Sequence, residues 1–202
     1  MNLDPLFEEM GRNLQIPARL FLRAGHHRDD PGAVANGLKE NELTIALRND
    51  LAQALKARGV VVLVDDDADD LATDVQKIAQ QCRPNDILLD LHFNAASPRA
   101  TGTECLVPLA ASRTEVNLAN EIAKAAAQCM QIPNRHHYNG GLPKTEAQSH
   151  HGRLAIMRPN CHNVLWEVCF LTNAADMAAY AAHHRTLIST LTHTIFPYLH
   201  VA

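Results

Sequence analysis

The stretch Leu55-Lys56-Ala57-Arg58-Gly59-Val60-Val61-Val62-Leu63-Val64 decides the fold. Its first half closes a helix and its second half is a strand. Leu43, Leu47, Leu51 and Leu55 recur at helical spacing, so a helix from about Leu38 to Arg58 carries one buried stripe. Gly59 stands where a C′ glycine ends such a helix. The aliphatic run after it has no polar alternate, the pattern of a strand covered on both faces in a parallel sheet. The alternation continues outward in both directions. Leu20-Phe21-Leu22-Arg23-Ala24 is a strand before the helix, and Leu71, Val75, Ile78 and Cys82 mark the inner side of a helix after it. Ile87 to Phe93 and Glu104 to Val107 are further strands. Leu118, Ile122, Ala126 and Cys129 stripe a helix from about Thr114 to Met130. Ala155-Ile156-Met157 and Val164 to Leu171 read as the last strands. A final helix from about Ala174 to Ile195 faces inward with Met177, Ala181, His184, Ile188 and Leu191, and Pro197 stops it. Strands alternating with helices predict an α/β fold, a twisted, largely parallel six-stranded sheet with helices on both faces.

A chain of 202 residues is most simply one domain, 1–202, with an extension over 1–19 and a core over 20–202. Within the extension, Asp4 to Asn13 reads as a short amphipathic helix. No apolar run approaches the roughly 20 residues needed to cross a bilayer, so no transmembrane segment is expected. The first residues lack a basic region and a long apolar core, so synthesis without a secretory signal, in the cytoplasm, is expected. A net charge of −4 and a pI near 6.3 argue against a nucleic-acid binder. A monomer is expected. The five cysteines are odd in number and scattered, which predicts free thiols in a reducing compartment.

Three metal-type residues stand in marked places. His26 and His27 follow the first strand in the turn-rich stretch Ala24-Gly25-His26-His27-Arg28-Asp29-Asp30-Pro31-Gly32-Ala33, and they compete for one ligand position. Glu40 shares the inward stripe of Leu43 and Leu47, where a carboxylate needs a partner. Glu42 is rotated off that stripe. His92 ends Leu88-Leu89-Asp90-Leu91-His92, with Asp90 on the same face. Two histidines, one carboxylate and an open position make the ligand set of a catalytic zinc. Glu167 lies within Val164-Leu165-Trp166-Glu167-Val168-Cys169-Phe170, where an acid is costly unless used or paired, and it could handle protons. Ligands of parallel sheets bind beyond the carboxyl ends of the strands, where His26, His92 and Glu167 are expected. These features predict a zinc-dependent hydrolase. The run Asp65 to Asp70 lacks the glycine and distal glutamate of a calcium loop and reads as a solvated acidic loop that caps the next helix. Residues 132–153 form a long polar loop of the kind that usually has a function. The sequence does not rank His136, His137, His150, His151 and His162, which lie in loops.

Four segments in order resemble the zinc-dependent N-acetylmuramoyl-L-alanine amidases. They are Gly25-His26 with Asp30-Pro31-Gly32-Ala33 and Gly37-Leu38-Lys39-Glu40; Asn85 to Ala95 around His92; Gly102-Thr103-Glu104; and Val164 to Asn173 around Glu167. The resemblance implies zinc on His26, Glu40 and His92, choosing His26 over His27. It implies Glu167 as general base and acid, with Asn94 as a substrate-binding residue. The implied substrate is peptidoglycan, cut at the amide between N-acetylmuramic acid and L-alanine, and a phage or prophage endolysin is the expected setting. The chain departs from the family at His27 and Arg28, where two glycines are usual. It departs again at Asp65 to Asp70, where Thr-Arg is usual, and at His136, where glycine is common. Two other readings compete. One is a zinc carboxypeptidase or peptidase on a similar scaffold, against which no arginine stands out as a carboxylate anchor. The other is a non-catalytic peptidoglycan-binding or zinc-storage protein, which would have no need of Glu167.

Overall fold

The computed structural model describes residues 17–199; the helix expected over Asp4 to Asn13 lies outside them. Strand β1 (Leu20–Ala24) leads through a loop to a hairpin of β2 (Val34–Ala35) and β3 (Leu38–Lys39), then to α1 (Glu40–Lys56). The helix expected from Leu38 starts two residues later because Asn36 and Gly37 turn the chain at positive φ and Leu38 pairs back with Ala35. There follow β4 (Val62–Val64), α2 (Leu71–Gln81), β5 (Ile87–Asn94) and β6 (Glu104–Val107). The chain continues with α3 (Arg113–Met130), β7 (Lys144–Thr145), β8 (His162–Phe170) and α4 (Ala174–Leu199). The six-stranded sheet has the order β4-β1-β5-β8-β6-β7. The first four are parallel, while β6 is antiparallel to β8 and carries β7 parallel to itself.

The expected α/β architecture with a largely parallel six-stranded sheet is present, with local corrections. Val60 to Val64 is not covered on both faces. It ends in the edge strand β4, where Val64 remains 43% exposed, and Val61 just before that strand is 57% exposed. Ala155–Met157 is a 3-10 turn, held by the burial of Ile156 and Met157. The sixth strand is instead Lys144–Thr145, inside the polar 132–153 segment. Helix α4 runs through Pro197 to Leu199, since a proline in the last turn breaks few bonds and Leu199 is fully buried. Its inner stripe is Met177, Tyr180, Leu187, Leu191, Ile195 and Leu199, so the expected Ala181 faces out. On α2 the expected Leu71 is exposed and Asp74 is buried in its place. All five cysteines are free.

Alternation along the strands sorts the two faces of the sheet. Leu20, Leu22, Leu89, Leu91, Val164 and Trp166 join the large core beneath α1, α3 and α4. Phe21, Leu88, Leu106 and Leu165 join a smaller cluster with Ile78 of α2 and Ile156. Further along that second face the strands present Arg23, Asp90, His92, Glu104 and Glu167. The chemistry-bearing residues therefore sit on the sheet where its thinner apolar cover ends.

Asp86 pins the start of this sheet. It accepts from the Arg19 backbone N–H at 2.8 Å, from Arg19 Nη2 at 2.6 Å and from the Arg83 backbone N–H at 2.8 Å. Burial pushes its carboxyl up, but these donors outweigh that and hold it at about 2, below the ordinary 3.8. A depressed carboxylate contributes stability that is present above its unfolded value and lost as pH falls through the folded one. Asp86→Asn is expected to cost about 2 kcal/mol at neutral pH. Denaturant titrations of both proteins should show that gap closing between about pH 4 and pH 2. A gap that is constant with pH would refute this assignment.

Candidate metal centre and groove

His26 comes from the loop after β1, Glu40 is the first residue of α1, and His92 and Glu167 point from neighbouring strands β5 and β8. Two glycines let the loop close on this point. Gly25 donates to the Leu91 carbonyl at 2.8 Å, and a Cβ there would collide with the His92 ring. Gly32 has φ +61°, and a Cβ there would stand 2.5 Å from His26 Cδ2 and 2.7 Å from Glu40 Oε2. Glu40 is buried and fixed at both oxygens. Oε2 accepts from the Ala33 N–H at 2.9 Å and Oε1 from the Phe93 N–H at 3.0 Å.

The inner nitrogens of both histidines face this carboxylate. His26 Nε2 is 3.3 Å from Glu40 Oε2, and His92 Nδ1 is 3.0 Å from Glu40 Oε1. The donor atoms of the three residues all lie within 4.8 Å of one another. The outer nitrogens are engaged as well. His26 Nδ1 lies 2.7 Å from Asp30 Oδ2, and His92 Nε2 lies 3.1 Å from Asp90 Oδ2. Burial pushes Glu40 up, but the hydrogen bonds from His26 and His92 override it and leave the carboxyl well below the usual range. Burial disfavours charge on His92, yet Asp90 and Glu40 raise it well above an ordinary histidine.

This donor set fits a divalent metal. Donors about 2.0–2.1 Å from a tetrahedral centre lie about 3.3 Å apart, the separation found between His26 Nε2 and Glu40 Oε2, and one donor atom from each of the three residues lies within 4.8 Å of the others. With the outer nitrogens held by carboxylates, proton-mediated contacts to Glu40 would require both rings to be cationic side by side. A metal ion would leave both neutral, each with one N–H directed outward. His27, the rival ligand, takes no part. Its Nδ1 accepts from the Asp29 N–H at 3.3 Å.

Glu167 is the register partner of His92 on one side and of Glu104 on the other. Its Oε2 is buried without a hydrogen-bond partner. Burial raises its carboxyl to about 7; His92 opposes that shift, and Glu40, Glu104 and Asp90 reinforce it. Such a group can both take and give a proton near neutrality. Glu104 is buried too, but it is saturated. It accepts from Asn94 Nδ2 at 2.9 Å and pairs with Lys144 Nζ at 2.9 Å and Arg135 Nε at 3.2 Å. These residues floor a groove of ≈ 510 Å³, whose wall includes Ser149, His150, His151 and Leu154. The site thus lies on the sheet face as well as near strand ends, because His92 and Glu167 stand before the last residues of their strands.

Other expectations divide. Glu42 is exposed, as its rotation predicts. Asp70 caps α2 by accepting from the Thr73 N–H at 2.8 Å. The rest of the acidic run is not simply solvated, because Asp65 and Asp67 grip Arg48 of α1 at 2.9 and 2.7 Å. His136 is a structural residue. Its Nε2 accepts from the Cys105 N–H at 2.8 Å, and burial lowers it to about 4. Sequence reasoning missed Asp30, Glu104, Lys144 and Arg23 as parts of the site. Glu104 was discoverable, since it is an acid in the apolar run Glu104-Cys105-Leu106-Val107, as Glu167 is in its own.

Residues 20–188 match the family described as N-acetylmuramoyl-L-alanine amidase. YqiI of Bacillus subtilis (strain 168) is 24% identical over 159 residues, covering 78% of this chain and 72% of its own. Cwp6 from Clostridium difficile superposes with a TM-score of 0.76 at 19% identity over 91% of this chain, which spans 30% of Cwp6. The catalytic domain of CwlV, an N-acetylmuramoyl-L-alanine amidase from Bacillus (Paenibacillus) polymyxa var. colistinus, gives 0.72 at 22% identity, covering 90% of this chain and 98% of its own. At these identities the structural likenesses establish the fold.

Proposed function

The chain belongs to the N-acetylmuramoyl-L-alanine amidase family, and from that premise we propose that it is a zinc enzyme that cuts peptidoglycan between N-acetylmuramic acid and L-alanine. The observation that carries this is the set of three metal-type donors within 4.8 Å, beside a buried carboxylate with an unpartnered oxygen. His26, Glu40 and His92 would hold the ion. When bound, zinc supplies a Lewis acid for the amide carbonyl and lowers the pKa of water. Glu167 takes the proton of the attacking water and returns it to the leaving amine of L-alanine. A carboxyl at about 7 suits both transfers. Asn94, tied through Nδ2 to Glu104, keeps its carbonyl oxygen for the substrate. Arg135 and Lys144 are engaged with Glu104, so neither is a free anchor for the terminal carboxylate of a carboxypeptidase substrate. We take residues 20–202 as a single catalytic domain, a reading supported by one sheet carrying both apolar clusters. The endolysin setting belongs to the same proposal, and the free thiols suit a protein folded in a reducing compartment.

Mass analysis of products from purified peptidoglycan tests the activity. Stem peptides with a free L-alanine amino terminus are expected. Released D-alanine would indicate a carboxypeptidase, and no release by zinc-loaded protein would indicate a binding module; either outcome defeats the proposal.

A further inference from the structure

Beneath the histidines runs a buried polar chain that the hydrolytic steps do not use. Arg23 of β1 is 3% exposed. Its Nε donates to Asp74 Oδ2 of α2 at 2.9 Å, and its Nη1 donates to Asp90 Oδ1 of β5 at 3.0 Å. Asp74 and Asp90 are equally inaccessible, at 3% and 1%. One guanidinium is therefore faced by two carboxylates. Asp74 alone would balance Arg23, so a second buried acid needs a second donor. The remaining oxygen of Asp90, Oδ2, finds one in His92 Nε2 at 3.1 Å.

Parallel pairing places Arg23 and Asp90 side by side on the sheet, and Asp90 and His92 are two residues apart on one strand face. Asp90 is thus held by Arg23 at one oxygen and reaches the imidazole with the other. An imidazole that donates through Nε2 has its lone pair on Nδ1, the nitrogen that faces Glu40 at 3.0 Å.

We propose that Asp90, clamped by Arg23, is a positioning residue that fixes the ring and tautomer of His92 so that Nδ1 is the metal-binding nitrogen. This rests on the zinc reading above. Carboxylate–histidine–metal arrangements of this kind hold the ligand ring and raise its basicity, and losing the carboxylate typically weakens metal binding about 10–100-fold. Asp74 touches the same arginine but not the histidine, and it serves as the control.

The test measures zinc affinity by competition with a chromogenic chelator for the wild type, Asp90→Asn and Asp74→Asn. Asp90→Asn is expected to lose about 10–100-fold in affinity, and Asp74→Asn to stay close to the wild type. Long-range 1H–15N spectra of zinc-loaded wild type give a readout that needs no variant, and His92 is expected to carry its proton on Nε2. Wild type that binds no zinc overturns both the zinc reading and this inference. Zinc-binding wild type with metal on His92 Nε2, unchanged affinity in Asp90→Asn, or equal losses in both variants overturns this inference alone.

Discussion

Glu167→Gln is expected to leave fold and metal content intact and to lower peptidoglycan hydrolysis by about 10²–10⁴-fold. Glutamine keeps the volume of the side chain on β8 and adds no charge to a site where Oε2 is already buried without a partner. It cannot accept the proton of water or return one to the leaving amine. Burial that brings Glu167 to about 7 makes the neutral replacement mild for stability, because at neutral pH the carboxyl is already protonated about half the time. Zinc content, thermal unfolding and turnover measured on one preparation separate these effects. Turnover like that of the wild type would remove Glu167 from the mechanism.

The second large effect is expected at the three residues proposed to hold zinc. His26→Ala, Glu40→Gln and His92→Ala should each purify with little zinc and lose hydrolysis by about 10³-fold or more, since Lewis-acid stabilisation of this kind is worth about 4 kcal/mol or more. His27→Ala should keep both metal and turnover, because its ring is outside the cluster of donors. Elemental analysis of the four variants decides the matter. Retained zinc in His92→Ala with loss in His27→Ala would reverse the assignment. Glu40→Gln and Glu167→Gln make opposite statements, the first abolishing metal and activity together, the second activity alone.

The parts of this arrangement that were legible in the sequence are those in which a polar residue interrupts an apolar pattern. His92 and Glu167 announce themselves within buried strands, and Glu40 falls on the stripe that leads to Leu47. What was not legible depends on partners far along the chain. Nothing local to Asp65 or Asp67 reveals that they close on Arg48 of a preceding helix. Arg23 looks like the outward residue of a strand until Asp74 and Asp90 arrive from two other elements. Strand identity failed for a related reason. Val60 to Val64 is apolar enough for a central strand, but whether a neighbour covers its outer edge is settled by topology. Lys144–Thr145 is a strand because β6 presents an unpaired edge to it, and two polar residues carry no signal of that.

The register His92–Glu167–Glu104 across three adjacent strands has a consequence for how such a protein can diversify. Neighbouring strands keep a spacing of about 4.8 Å set by main-chain hydrogen bonds, so the gauge between His92 and Glu167 is built into the backbone. The opposite bank of the groove comes from irregular chain around Ser149 to Leu154. Insertions or exchanges in that bank can alter which wall fragments are admitted without disturbing the gauge. Selectivity and reactivity are therefore free to drift independently in this molecule, the one on a pliable margin, the other on a ruled lattice.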